Sequence, residues 1–113
     1  MPKDLQLLII PAYYTQHTQD WLANTNIALH RERNLEDLID QSKLPIEPLP
    51  RTTKISWQNK HLQKDPYGDR LTYCLAGDFR TAQLPEDLNE WNQAMFQCLR
   101  SLPEESVIIF YWT

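Results

Sequence analysis

The 113-residue sequence has only two glycines, two cysteines and no apolar run longer than about seven residues. Two glycines cannot build a glycine-rich loop that cradles phosphates. Two cysteines outside any CxxC pair do not make a disulfide scaffold. A helix that crosses a bilayer needs about 20 apolar residues. These shortages exclude a P-loop, a disulfide-rich secreted domain and a membrane-spanning helix, so we expect no membrane partner.

The first four residues, Met1-Pro2-Lys3-Asp4, lack the architecture of a signal peptide, which favours a cytoplasmic location. In a reducing compartment Cys74 and Cys98 are expected to be buried as small hydrophobic residues. The three histidines His17, His30 and His61 are scattered and have no second ligand at helical spacing. We therefore expect neither a metal ion nor any other cofactor.

Composition predicts a single globular domain over residues 1–113, with 42% hydrophobic and 23% charged residues. The net charge of −4 argues against a chain that binds nucleic acid with its whole surface. However, residues 51–80 contain six basic and three acidic side chains, so this segment is +3 and the remainder is −7. The middle of the chain is therefore basic and its flanks are acidic.

Both ends of the chain read as strands, Leu5–Ile10 and Val107–Thr113. Their apolar residues fall on both parities, which is typical of strands that are covered on both faces. The two termini are therefore predicted to be central strands of one sheet in a complete domain. Between them, residues 15–33 favour a helix that Thr18 would cap, although Asn26–Leu29 also fits a short extended piece.

Two further helices are predicted. Asn34 as N-cap, with Asp37 three residues later, predicts a short helix that ends near Gln41–Ser42. Pro85 is expected to start a second helix that stops before Pro103. Its core-facing stripe, by spacing, comprises Leu88, Trp91, Met95, Cys98, Leu99 and Leu102.

The segments between these helices are extended in this interpretation. Residues 44–50 hold a proline at every second or third position and are expected to cross the domain as an extended segment anchored by aliphatic side chains. Residues 53–60 and 70–79 alternate apolar with polar residues, and the Asp65–Gly68 sequence is typical of a type I turn. These two runs are predicted to pair with each other as a hairpin.

The resulting order is strand, helical region, strand, strand, helix, strand. It resembles the split βαβ order of ferredoxin-like domains. The expected fold is a single α+β domain with a four-stranded antiparallel sheet and helices on one face.

A sheet with helices on one face leaves its other face uncovered. The side chains expected there are Leu8, Ile10, Ile108, Phe110 and Trp112, with the opposite parity of the last strand (107, 109, 111) as the alternative. Burying each is worth about 1.5–3 kcal/mol, so a protein partner, most simply a second copy of the chain, is expected to cover them. The alternative cover is the segment Tyr13–Arg33 of the same chain.

Two groups of residues are candidates for chemistry. Tyr13, Tyr14 and His17 follow the first strand, in a position that resembles that of active-site residues in small ferredoxin-like RNA-processing proteins; aromatic packing beside an exposed histidine is the alternative. The basic hairpin could hold a phosphate backbone, or be a solvated surface, through Lys54, Lys60, Lys64, Tyr67 and Arg70.

The absence of a catalytic motif and the two-sided strands favour a small cytosolic, non-enzymatic protein-interaction module. Such a module would be an accessory subunit or inhibitor that acts as a homodimer or within a larger complex. The alternative is an RNA-binding protein that uses the basic segment at residues 51–80. If that protein is an enzyme, it is expected to be a metal-independent ribonuclease.

Overall fold

A computed structural model describes residues 4–15, 19–31, 35–84 and 86–113. Within these residues the chain forms an α+β fold with eight strands, three α-helices and a short 3₁₀ turn at Ala12–Tyr14. The strands are β1 (Leu5–Ile10), β2 (Asp20–Leu22), β3 (Thr25–Leu29), β4 (Glu47–Pro48), β5 (Lys54–Trp57), β6 (Lys60–Leu62), β7 (Thr72–Leu75) and β8 (Val107–Trp112). The helices are α1 (Leu35–Gln41), α2 (Asp78–Thr81) and α3 (Glu90–Arg100).

The main sheet has five antiparallel strands in the order β3-β1-β8-β7-β4. The prediction of a four-stranded ferredoxin-like sheet is therefore wrong. The prediction that the first and last strands are central is confirmed, because β1 and β8 pair with each other from Leu5↔Trp112 to Ile10↔Val107 and each has a second neighbour. Strands covered on both faces need apolar residues on both parities, which is the pattern these two strands have.

A second, smaller sheet has the order β2-β5-β6, and we call it the small sheet. β2 runs parallel to β5, and β5 turns into β6 through Gln58 and Asn59, whose φ angles of 49° and 63° are both positive. Two consecutive positive φ values are what a two-residue type I′ hairpin requires.

This turn explains why the predicted pairing of residues 53–60 with 70–79 is wrong. The chain reverses at Gln58-Asn59, so β5 pairs with β6, whereas β7 joins the main sheet beside β8. Beyond β7 the chain leaves the sheet, and Phe79, which the alternation placed on a strand, lies buried in α2.

The helix predicted within residues 15–33 is replaced by β2 and β3. Thr18, its expected cap, lies outside the described residues. Asn24-Thr25-Asn26 contains poor helix formers, because short polar side chains compete for backbone hydrogen bonds. The extended alternative for Asn26–Leu29 is confirmed, since β3 pairs with β1 along the edge of the main sheet.

The other two helices follow the predicted positions more closely. α1 ends at Gln41, as expected, although its predicted cap Asn34 lies outside the described residues. α3 begins at Glu90, where Asn89 accepts a hydrogen bond from the backbone N–H of Asn92 over 2.8 Å. Pro85, the expected start, lies outside the described residues. No helix among the described residues has the length and apolar character that crossing a membrane requires.

The predicted stripe of α3 is partly confirmed. Leu88 and Leu99 are buried, and Met95 and Leu102 are partly buried against the core, as predicted. Asn92 and Phe96 are also buried, while Trp91 is 48% exposed. Cys98 is also exposed, so the prediction that both cysteines are buried holds only for Cys74. The spacing of apolar residues could not place Asn92 on the core side of the helix, because Asn92 is polar.

Two hydrophobic cores lie on the two faces of the main sheet. One core combines Leu5, Leu7 and Ile9 with residues of all three helices. The other packs Leu8 and Ile10 against the small sheet and its neighbouring segments; its buried residues are Leu8, Ile10, Ala23, Leu49, Ile55, Leu71, Val107 and Ile109. The small sheet therefore covers the face that was expected to be open.

The residues predicted as a partner interface are accordingly buried or partly buried within the fold. Leu8, Ile10 and Ile108 are 0% exposed and Phe110 is 1% exposed, while Trp112 is half-buried against the helix-side core. They also do not share one face. Ile108 pairs directly with Ile9, and Phe110 with Leu7, which places both on the helix side, opposite Leu8 and Ile10.

The proline-rich segment is extended, as predicted, and it wraps the edge of the main sheet. Glu47 and Pro48 form the short edge strand β4 beside β7. Leu44 is buried in the helix-side core, whereas Leu49 is buried in the core beneath the small sheet. The segment therefore links the two cores around the strand edge, where proline is tolerated.

Candidate functional site

The predicted catalytic group is only partly described. Tyr13 and Tyr14 lie in the 3₁₀ turn directly after β1, with ring centroids 4.2 Å apart, and His17 lies outside the described residues. Tyr13 is 63% exposed, and its hydrogen bond with Tyr14 raises the pKa of its phenol. A raised pKa moves the phenol further from the neutral range in which general acid–base catalysis is most effective. The catalytic role of this group stays a prediction.

The small sheet presents one face to the core and the other to solvent. Trp21, Ile55 and Leu62 form a row across its three strands that packs against the core below. The alternate row, Leu22, Ser56 and His61, therefore points outward, because successive side chains of a strand lie on opposite faces.

The outward row lines a groove at the turn end of the small sheet. The groove has a volume of about 410 Å³ and is lined by Leu22, Ser56, Trp57, Gln58, Asn59, Lys60 and His61. Within it, Ser56 Oγ lies 3.3 Å from His61 Nδ1, across the β5–β6 pair. We call this feature the hairpin groove.

A second feature lies at the other end of β5 and β6, and we call it the cation pocket. It has a volume of about 50 Å³ and is lined by Leu49, Pro50, Arg51, Thr53, Gln63, Lys64 and Arg70. Three of the seven lining residues are cationic and none is acidic. A cavity of about 10–15 Å³ holds one water molecule, so this pocket has room for the oxygens of a small anion.

Hydrogen bonds to the backbone fix the walls of the cation pocket. The side-chain amide of Gln63 donates to the carbonyls of Arg51 and Thr53, over 3.2 Å and 3.4 Å. Lys64 and Arg70 form an isolated antiparallel bridge, and Arg70 also donates to the carbonyl of Leu49 over 3.5 Å. The three cations therefore stand on segments that are tied to one another.

The Asp65–Gly68 turn sets the spacing of Lys64 and Arg70. The predicted turn is confirmed: the N–H of Gly68 donates to the carbonyl of Asp65 over 3.0 Å. The Asp65 carboxylate accepts hydrogen bonds from the backbone N–H groups of Tyr67 and Asp69, over 2.9 Å and 3.1 Å. This acid therefore stabilises the turn and does not line the pocket.

The structure distributes the predicted anion-binding residues between the two ends of the small sheet. Lys64 and Arg70 line the cation pocket, Lys60 lines the hairpin groove, and Lys54 is exposed on the strand that connects them. Tyr67 is 52% exposed on the turn between Lys64 and Arg70. The residue that the sequence prediction omitted is Arg51, which precedes β5 in a turn closed by the N–H of Thr53 and the carbonyl of Pro50.

Acidic and basic residues occur on both sides of the main sheet in different proportions. The exposed acids of α1 and α3 lie on the helix side and include Glu36, Asp37, Asp40 and Glu90. The side of the small sheet carries five cations at residues 51–70, with Asp20 beside Lys54 and Asp69 next to Arg70 as nearby acids. An anion therefore meets the more favourable potential on the side of the small sheet.

Comparison of the chain with protein-family models, with curated proteins and with solved structures finds no match. Within the described residues no group of three or more histidine, cysteine, aspartate or glutamate side chains is placed to hold a metal ion. The cation pocket and the hairpin groove are therefore the features from which a function can be inferred.

Proposed function

We propose that the protein binds single-stranded RNA along the outer side of the small sheet. The observation that carries this proposal is the convergence of Arg51, Lys64 and Arg70 on one pocket that has no acidic lining residue. Arginine and lysine are the side chains that bind phosphate oxygens, arginine through a planar pair of N–H donors. The pocket holds one phosphate group of the strand.

The remaining cations extend this contact along the sheet. β5 has four residues at about 3.3 Å each, so the cation pocket and the hairpin groove are separated by roughly 13 Å. Lys54 lies on this path and Lys60 at its far end. A short stretch of extended RNA follows the path with its phosphates on these cations and its bases unpaired, so that the bases are available for contacts with the protein, as is usual in single-strand binding.

The protein-interaction module has less support from the fold. Its main argument was an open apolar face, and the small sheet covers that face. The exposed edge of the main sheet is also partly occupied, because Trp91 Nε1 donates to the carbonyl of Ala28 on β3 over 3.2 Å. A homodimer or larger complex stays a prediction that these observations do not favour over RNA binding.

The test is the affinity of a fluorescently labelled, unstructured RNA measured by anisotropy at several salt concentrations. With one phosphate in the cation pocket and one each on Lys54 and Lys60, we expect the slope of log K against log salt to be about −2 for the wild type, since each neutralised phosphate of a single strand contributes about −0.7. The variant Arg51→Gln/Lys64→Gln/Arg70→Gln should bind more weakly and have a slope of about −1.4, because it loses the phosphate in the pocket and keeps those on Lys54 and Lys60. Circular dichroism checks that it is folded.

A matched pair of charge reversals separates a local contact from net charge. Lys64→Glu and Lys43→Glu change the net charge equally, but Lys64 lines the cation pocket, whereas Lys43 follows α1 on the helix side. We expect Lys64→Glu to weaken binding more than about tenfold at low salt and Lys43→Glu to weaken it less than about twofold. Equal losses, or no binding by the wild type at low salt, would overturn the proposal.

A further inference from the structure

We propose that the hairpin groove is a nucleobase subsite, which takes one unpaired base of the strand whose phosphate occupies the cation pocket. This inference rests on the proposed RNA binding, because the pocket alone would bind any phosphate-bearing ligand. The groove differs from the pocket in chemistry: it combines apolar walls with side-chain amides, a hydroxyl and an imidazole. These groups suit a flat heterocycle with polar edges.

The size of the groove fits a single nucleotide. Its volume of about 410 Å³ is within the range of small-molecule sites, which is about 300–1,000 Å³. The cation pocket, at about 50 Å³, has room only for a group such as phosphate. The two features at the ends of one strand therefore match the two parts of a nucleotide chain, base and phosphate.

Two apolar residues, Leu22 and Trp57, line the groove. Trp57 is half-buried, because its indole packs against the core beneath the small sheet, on the same side of β5 as Ile55. Leu22 belongs to the outward row, so its side chain offers an apolar surface to a base. Leu22 is 44% exposed at the groove, although leucine is among the residues most often buried in folded proteins.

The turn residues supply hydrogen-bonding groups at the rim. Gln58 and Asn59 carry amides, each of which both donates and accepts, as the edge of a base does. Gln58 holds a φ of 49°, a left-handed conformation in which glutamine is uncommon. The preferred type I′ sequence is Asn-Gly, so the turn retains a long amide side chain at a conformational cost. Backbone strain of this kind, combined with a lined groove, points to use of the side chain.

Ser56 and His61 complete the polar lining. Their contact over 3.3 Å engages Nδ1 of His61, so Nε2 is the ring nitrogen that we assign to a ligand. Lys60 at the rim adds a positive charge beside the base site. The subsite therefore has an apolar side chain, two amides, an imidazole and a cation within one groove.

The test is a titration of ¹⁵N-labelled protein with the four ribonucleoside 5′-monophosphates, followed by the chemical shifts of backbone amides and of the Trp57 indole N–H. Ribose 5-phosphate, which has the phosphate but no base, is the comparison ligand. We expect nucleotides to shift the signals of Leu22, Ser56 and Lys60 as well as those of the pocket. Ribose 5-phosphate should shift only the pocket signals.

Two leucine variants with similar exposure give the matched control. Leu22→Ser removes an apolar wall of the groove, whereas Leu75→Ser changes a leucine that is 40% exposed on β7, away from the groove. We expect Leu22→Ser to weaken nucleotide binding at least fivefold when it is followed through the groove signals, without changing the affinity for ribose 5-phosphate at the cation pocket. Leu75→Ser should change neither affinity.

The outcomes distinguish this inference from the proposed function. If RNA binds through the cation pocket but nucleotides leave the groove signals unchanged, the base subsite is wrong and RNA binding stands. Equal groove shifts with ribose 5-phosphate would also reject a base subsite. If nucleotides shift the groove signals while RNA shows no salt-dependent binding, the groove is a mononucleotide site and the proposed function is wrong.

Discussion

Arg80 and Arg100 cap the ends of each other's helices. Arg80 Nε donates to the carbonyl of Arg100 over 3.1 Å, and Arg100 Nε donates to the carbonyl of Phe79 over 2.8 Å. Arg100 also reaches the carbonyl of Ala82 over 3.0 Å. The last carbonyls of a helix have no hydrogen-bond partner within the helix. A cation at that end also interacts favourably with the negative end of the helix dipole. The reciprocal caps tie α2 to α3.

Removing either guanidinium should therefore destabilise the chain. We expect Arg100→Leu to lower the free energy of unfolding by about 2 kcal/mol, because hydrogen bonds from a charged group to carbonyls of a half-buried site are lost. Arg80→Leu should cost about 1 kcal/mol, since the Arg80 side chain is 43% exposed. Urea denaturation followed by circular dichroism measures both values.

The double variant tests whether the two caps act together. If they form one unit, Arg80→Leu/Arg100→Leu should lose less free energy than the two single losses added, by about 0.5 kcal/mol or more. Arg31→Leu is a control, because its guanidinium pairs with Asp4 at the exposed surface and should affect stability little. Strictly additive losses would show that the arginines cap independently.

The sequence allowed the central strands to be predicted but not the small sheet. β1 and β8 are six residues long and apolar on both parities, so their position follows from burial alone. β2 and β6 have only three residues each, which is too short for a periodic signal. β2 also pairs in parallel with a strand far along the chain, and such non-local pairing leaves no local pattern.

The candidate site was also predictable only in part. Lys64 and Arg70 were predictable as neighbours because a recognisable turn joins them. Arg51 joins them only through the tertiary fold, so no local signal could select it. The outward row of Leu22, Ser56 and His61 depends on strand pairing, and a wrong hairpin assignment hides it.

Asn92 illustrates how a predicted apolar stripe can miss a buried polar residue. It is 0% exposed, accepts a hydrogen bond from the backbone N–H of His30 over 2.7 Å and donates to the carbonyl of His30 over 3.0 Å. A side-chain amide therefore pairs with the chain directly after β3, as a neighbouring strand would. Periodicity based on hydrophobicity cannot recognise a buried amide of this kind.

Replacing Asn92 should leave the His30 backbone groups without these bonds. We expect Asn92→Leu to lower the free energy of unfolding by about 2 kcal/mol in urea denaturation. Asn92→Asp keeps the acceptor but places a carboxylate against a carbonyl, so its stability should recover as the pH falls and the carboxyl is protonated. Gln97→Leu, an exposed site on the same helix, is the control and should change little. Equal stability of all three variants would contradict this role.

The two cysteines differ in environment and should differ in reactivity. Cys74 is 2% exposed and Cys98 is exposed. Burial raises the pKa of the Cys74 thiol to about 12, so little of the reactive thiolate forms in the folded chain. We expect a thiol reagent to label Cys98 rapidly and Cys74 only after unfolding, as mass spectrometry of the labelled chain can measure. Rapid labelling of both in the folded state would contradict the packing around Cys74.

The same thiol should make stability depend on alkaline pH. The pKa is raised in the folded chain from an ordinary value of 9.0 to about 12, so the folded state holds a proton that the unfolded state releases in this window. The free energy of unfolding should therefore fall as the pH rises from about 9 towards 12. The slope is at most 2.303RT per pH unit, the value for a difference of one bound proton between the two states. Cys74→Ala should flatten this dependence after allowance for its lower stability at neutral pH.

Replacing the left-handed turn at Gln58-Asn59 should raise the stability of the chain and weaken nucleotide binding. Replacing it with the preferred type I′ sequence, Gln58→Asn/Asn59→Gly, relieves two residues that hold φ angles of 49° and 63°. We expect the free energy of unfolding to rise by about 1 kcal/mol, and nucleotide binding to weaken because the Asn59 amide is removed and the amide at position 58 is shortened by one methylene. Lys43→Gly is the matched control, since Lys43 holds a φ of 58° after α1, away from the groove. It should stabilise the chain without changing nucleotide affinity, whereas an unchanged affinity in the turn variant would remove the turn amides of Gln58 and Asn59 from the proposed subsite.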